Sequence, residues 1–211
     1  MSAEDLAGLG RWKSGVYVVS LRGGARFYPV PVPTVEMYHL LRRAVGAVAF
    51  TPGPAPGGLE NSVGPFAFDG ERLWFANRFY DGEGTSGVGA VGSFDPATRR
   101  YEMRYLPEIA PWAASVLALD GRFVWIGLMR QPEGSAYGAG VLRFDKETEL
   151  VRKYPIDGYV STIVRAGSAL YFGTAYGVYT LDADERRLTH VRVEPGPEGP
   201  RRIVTESIPI Q

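Results

Sequence analysis

Apolar and polar residues alternate in short bursts along most of this chain, and turns containing Gly, Pro or Asp separate the bursts. A period of two is the signature of half-buried β-strands. Three stretches carry it in the same order: Phe68-Asp69-Gly70-Glu71-Arg72-Leu73-Trp74-Phe75, Leu119-Asp120-Gly121-Arg122-Phe123-Val124-Trp125-Ile126 and Arg165-Ala166-Gly167-Ser168-Ala169-Leu170-Tyr171-Phe172. Each reads as a strand end, a tight turn and an aromatic-rich strand. A Gly-rich gap follows, then a run ending in an acidic turn at Phe94-Asp95-Pro96, Phe144-Asp145 or Leu181-Asp182. Aspartate suits the first position of such a turn because its carboxylate accepts backbone N–H groups ahead of it, so these acids are expected to shape turns. A further strand closes each copy.

The aromatic positions Trp74, Trp125 and Tyr171 recur about every 50 residues, the spacing of one four-stranded blade, which predicts an all-β fold and a small β-propeller. Trp74 and Trp125 are expected to be core residues between neighbouring sheets. Residues 63–107, 112–155 and 160–195 are the predicted complete blades. Gly15-Val16-Tyr17-Val18-Val19 matches Gly177-Val178-Tyr179-Thr180-Leu181, and Arg26-Phe27-Tyr28-Pro29-Val30 matches the run from His190 to Pro195, so residues 15–33 read as a half-blade. Residues 202–210 are the expected closing strand, giving about four blades, three complete and one shared by the termini, or a ring completed by a second chain. From Val63 to Pro195 the pattern of strand, Trp-aromatic-Gly, Gly-Val and apolar-Asp turn resembles the blades of two-component-regulator propellers and of virginiamycin B lyase-like propellers. That resemblance implies architecture; such blades serve sensors, adhesion modules and enzymes alike.

Residues 34–62 have a different texture. Met37, Leu40, Leu41 and Ala44 follow helical spacing between Thr34 as N-cap and Gly46 as stop, predicting one short helix. The run Thr51-Pro52-Gly53-Pro54-Ala55-Pro56-Gly57-Gly58 cannot hold regular structure and reads as a surface insertion. With 211 residues and 45% hydrophobic content, the chain is long and apolar enough for one folded domain. No apolar run spans a bilayer and no signal-peptide pattern opens the chain, so a soluble, cytoplasmic protein is expected. Basic and acidic residues balance at 23 each, giving no global field that favours nucleic acid or an anionic membrane. Few amides and no cysteine fit a heat-adapted source.

Candidate chemistry is sparse. The two histidines, His39 and His190, fall on different predicted elements, which excludes a multi-histidine site and withholds the base that the lyase resemblance implies. Gly82-Glu83-Gly84-Thr85-Ser86-Gly87-Val88-Gly89 lacks the lysine and helix of a phosphate loop. An asymmetric loop face remains. The stretches from Trp74 to Phe94 and from Trp125 to Phe144 are about twice as long as that from Tyr171 to Leu181, so two blades carry long loops on one face. Asn77, Arg78, Tyr80, Arg130 and Tyr137 lie there, with Trp112 and Tyr159 on the rim, and Arg beside Tyr is the composition of binding hot spots. The expected function is non-enzymatic recognition of a protein or small ligand without a cofactor. A metal-dependent hydrolase or lyase with Glu60, Asn61, Asp81 and Glu83 at a central channel is the alternative.

Overall fold

A computed structural model describes the backbone of residues 14–21, 24–31, 59–81, 84–86, 90–95, 97–98, 100–106, 108–109, 112–130, 136–195 and 202–210, with backbone alone before Pro65, within 77–90, at Phe94 and within 100–105. The expected helix over residues 34–45 and the Pro/Gly run lie outside these residues. All described elements are strands. A hairpin of β1 (Ser14–Leu21) and β2 (Gly24–Pro31) forms one two-stranded sheet. The first large sheet runs β3 (Leu59–Phe68), β4 (Leu73–Asp81), β6 (Ala90–Asp95) and β7 (Arg100–Tyr105), with the short β5 (Gly84–Ser86) paired to the end of β4. The second contains β8 (Ala113–Asp120), β9 (Phe123–Arg130), β10 (Tyr137–Asp145) and β11 (Val151–Tyr154) in chain order. The third continues with β12 (Val160–Ala166), β13 (Ala169–Thr174), β14 (Gly177–Leu181), β15 (Arg187–Glu194) and β16 (Arg202–Pro209). All pairings are antiparallel.

The turns form for the reason their residues predict. Asp69 Oδ1 accepts the N–H groups of Glu71 and Arg72 at 3.1 and 2.8 Å, and Asp145 Oδ1 accepts those of Glu147 and Thr148 at 3.0 and 3.3 Å. Asp95 and Asp182 do the same in their own hairpins. The first turn of every large sheet bends through a glycine at positive φ, namely Gly70, Gly121 and Gly167. These turns define one end of each sheet.

The sheets pack in series, with β8 against β3 and β4, and β12 against β8 and β9. Between the first two lies a core containing Trp74, Val91, Ile109, Leu128 and Phe144; between the second and third lies another with Trp125, Tyr154, Phe172, Tyr179 and Leu188. Trp74 and Trp125 are buried as expected. Each ring faces the following sheet: Trp74 lies 6.2 Å from Phe144 and Trp125 lies 5.8 Å from Phe172, centroid to centroid. Tyr171 holds the equivalent position in the third sheet and is 37% exposed.

Polar contacts clamp the turn ends across the same boundaries. Lys146 Nζ sits 3.0 Å from Asp69 Oδ2, Arg165 pairs with Asp120, and Glu185 receives Arg143, Arg152 and the Tyr154 hydroxyl. Glu185 reaches them from a left-handed turn position, φ 55°.

The C-terminal strand corrects the expected shared blade. β16 pairs with β15 throughout, from Glu194↔Arg202 to Arg187↔Pro209, and does not join β1 and β2. The reason is local: the link after β15 is short enough for an antiparallel return, and Ile208 lands opposite Leu188 on the buried alternation. Ile208 and Ile210 then pack against the second core.

Candidate functional site

Opposite the Asp turns lies the end of the sheets where the expected binding residues gather. β9 ends at Arg130 and β10 begins at Tyr137, and these two are direct cross-strand partners. Both are exposed, Tyr137 at 56%. Trp112 precedes β8 and Tyr159 precedes β12, so both enter at this end. Their environments differ. Trp112 packs against the first core and its backbone N–H donates to the Ile109 carbonyl at 2.6 Å, which gives it a structural part. Tyr159 is half-buried beside a close backbone crossing.

Two glycines make that crossing. A Cβ on Gly138 would fall 1.6 Å from the Gly158 carbonyl oxygen, so no other residue fits between β10 and the link that leads into β12. A Cβ on Gly158, whose φ is +82°, would meet the Tyr176 ring at 2.6 Å. The ring of Tyr176 therefore lies on Gly158, and Gly158 lies on Gly138. Tyr137 adjoins one glycine in the chain and Tyr159 the other, so the backbone segments that carry three tyrosines come together here.

Tyr176 is the residue that sequence reasoning missed. It sits in a tight hairpin of the third sheet, between β13 and β14, where a search for long loops passes over it. It is 60% exposed, yet its turn is braced. Its N–H donates to Thr174 Oγ1 at 3.1 Å, Thr174 Oγ1 donates to the Gly177 carbonyl at 3.0 Å, and His190 Nε2 lies 3.3 Å from the Tyr176 carbonyl oxygen. His190 is itself buried and stacked on Tyr179 at 3.9 Å, which gives it a structural part. The signal available in the sequence was Tyr176-Gly177, an aromatic at a turn before a glycine that takes φ +135°.

Asn77, Arg78 and Tyr80 correct the loop picture. They belong to β4, which pairs with β3 as Val63↔Asn77, Ser62↔Arg78 and Glu60↔Tyr80, and Tyr80 also pairs with Thr85 of β5. The residues around Phe79 and Tyr80 favour a pleated surface, so the long connection is largely an extension of the strand. Their backbone runs to the same end of its sheet as Arg130. Of the residues in the metal alternative, Asn61 is opposite Phe79, Asp81 is opposite Leu59, and Glu83 lies outside the described residues. Among the described residues no three His, Asp or Glu side chains form a cluster able to hold a metal ion, and no helix is long and apolar enough to cross a membrane.

At the turn end the carboxylates serve the fold. Burial pushes Asp69 up, but N–H donors from Arg72 and Glu71, with Lys146 and the Trp74 indole, outweigh it and hold the carboxyl at about 2. Asp145 is held at about 2 in the same way, burial being outweighed by Glu147, Arg122 and Thr148. Burial and the Glu185 carboxylate raise the Tyr154 hydroxyl well above the usual phenol range, so it stays a donor. Fixed ionisation of this kind is structural, leaving the tyrosine end as the candidate site.

No protein-family model matches the chain, and no curated protein matches it significantly.

Proposed function

We propose that this chain is a non-enzymatic recognition module of the β-propeller type, binding a protein or small ligand at the rim made by Arg130, Tyr137, Tyr159 and Tyr176. The ring reading is supported by three sheets of like strand order packed in series through their first strands, an arrangement that continues naturally around an axis. The single observation that carries the binding reading is the Gly138–Gly158–Tyr176 contact, which holds the backbone segments bearing Tyr137, Tyr159 and Tyr176 together while Tyr137 and Tyr176 stay exposed. Rigid tyrosines offer apolar area and a hydroxyl at low entropic cost, and Arg130 adds directional donors beside them. Asn77, Arg78 and Tyr80 extend this surface along the first sheet in the same reading. No field of net charge directs the rim to nucleic acid, and a cytoplasmic, heat-adapted source remains the compositional expectation.

The test is a binding screen of proline-rich peptides and small polar ligands by chemical-shift perturbation on the wild-type chain. Binders are expected to perturb Tyr137, Tyr159 and Tyr176, and to lose at least tenfold in affinity in a Tyr137→Ala/Tyr176→Ala variant that keeps its melting midpoint. Binders indifferent to that double substitution would move the site elsewhere.

A further inference from the structure

The third sheet has one face buried against the second sheet and one face turned away from it. Val164, Tyr171, Thr180, Thr189 and Ser207 form a single register row across all five strands of the outward face, and Val193 stands opposite Ile203 on the same alternation. Tyr171, Val164, Val193 and Ile203 are exposed, the last at 71%. The charged residues Arg165, Arg192, Glu194, Arg202 and Glu206 all take the opposite alternation; Arg187, at the start of β15, alone shares the outward one. A solvated sheet face normally carries charge, whereas this one is a Val/Thr/Tyr surface of the kind that packs against another sheet.

The repeat positions show what such a face expects. Trp74 and Trp125 are each covered by the sheet that follows them, and Tyr171, at the same position, has no following sheet over it among the described residues. We infer that the N-terminal hairpin, β1 and β2, is the element that covers this face within the same chain. The hairpin has the matching deficit. It is a two-stranded sheet, marginal by itself in water, and its register aligns Tyr17 with Tyr28 and Val18 with Phe27, placing large apolar residues on both alternations. Its first strand matches β14 in sequence, with Val19 in the place of Leu181, which precedes its turn as Phe144 does; Phe144 is the residue that meets Trp74. Val19 is therefore the counterpart for Tyr171. Being part of the same chain, the hairpin competes for this face at an effective concentration that does not depend on protein concentration, whereas that of a second copy does. This inference shares the ring geometry with the reading above but uses none of the rim tyrosines, so the two fail separately.

The full chain contains no cysteine, so an introduced thiol is unique. In Thr180→Cys, reaction with a maleimide is expected to be at least tenfold slower than in the same variant carrying Tyr17→Asp and Val19→Asp, at every protein concentration. Equal rates in the two backgrounds would overturn the proposal, and protection that appears only at high concentration would assign the face to a second copy instead. Should the charged hairpin unfold the chain, seen as loss of the β-sheet circular dichroism, Val19→Cys/Tyr171→Cys decides. A disulfide formed within one chain on mild oxidation is the expected result, while disulfide-linked dimers or no cross-link would overturn it.

Discussion

Two buried tryptophans at equivalent positions satisfy their indole N–H groups differently. Trp74 Nε1 donates to Asp69 Oδ2 at 2.8 Å, and Trp125 Nε1 has no partner among the described residues. Replacing either with Ala is expected to cost about 3–5 kcal/mol through lost area and a cavity. Phe should separate them. At Trp125 it removes an unpartnered donor and costs clearly less than Ala, whereas at Trp74 it also takes one of its donors from the Asp69 carboxylate. Denaturation midpoints of the four variants check this, and equal Phe penalties would remove the distinction. Asp69 also sets a pH dependence. Its carboxyl is held at about 2, below the ~4 of an unfolded chain, so it contributes stability above pH ~4 that is lost as pH falls towards 2. Asp69→Asn is expected to lower the melting temperature at pH 7 and to flatten its fall between pH 5 and pH 2.5.

At the scale of elements, the hairpins join sheets as well as strands. The turn before β15 places Glu185 among Arg143, Arg152 and Tyr154, with Glu185 and Arg143 side chains only 18% and 20% exposed. Removing that anion leaves cations short of a partner in a poorly hydrated place, so Glu185→Gln should destabilise more than Asp120→Asn, whose partner Arg165 is 40% exposed. Urea titrations of the pair rank them, and the reverse order would show that solvent screens both alike. Gly138→Ala acts on a different contact. Its methyl would strike the backbone of Gly158, so the strand or the link must shift, and stability and the geometry of the tyrosine rim are expected to fall together. Preserved backbone shifts at Tyr159 and Tyr176 in that variant would contradict the contact. Ending the chain before Arg202 removes β16, uncovers β15 and takes Ile208 and Ile210 from the core, so aggregation is the expected outcome in light scattering.

At the scale of the whole molecule, three sheets packed in series have a clamped end and an opposite end. Ion pairs and Asp turns cross every sheet boundary at the first, and tyrosines collect at the second. Substituting Arg130 with Ala is therefore expected to change stability by less than about 1 kcal/mol, because the side chain is exposed, while any ligand of the rim binds more weakly. A large loss of stability in that variant would place Arg130 in the fold instead of the site.

What the sequence determined by itself was local. Alternation, Asp turns and the positive-φ glycines specify strands and tight hairpins within a few residues, so the strands, the buried Trp74 and Trp125, and the turn-forming acids were legible from residue order alone. Tertiary structure decided what depends on partners distant in the chain. Pairing of β16 with β15 was a choice between two edges that the strand's own composition does not distinguish. Extension of β4 through Asn77, Arg78 and Tyr80 depended on β3 lying alongside. Most of all, the crossing of Gly138 and Gly158 depended on packing: loop length drew attention to Tyr137, but only packing between two sheets brings the Tyr176 ring onto Gly158, because a contact across a sheet boundary leaves no period in the sequence.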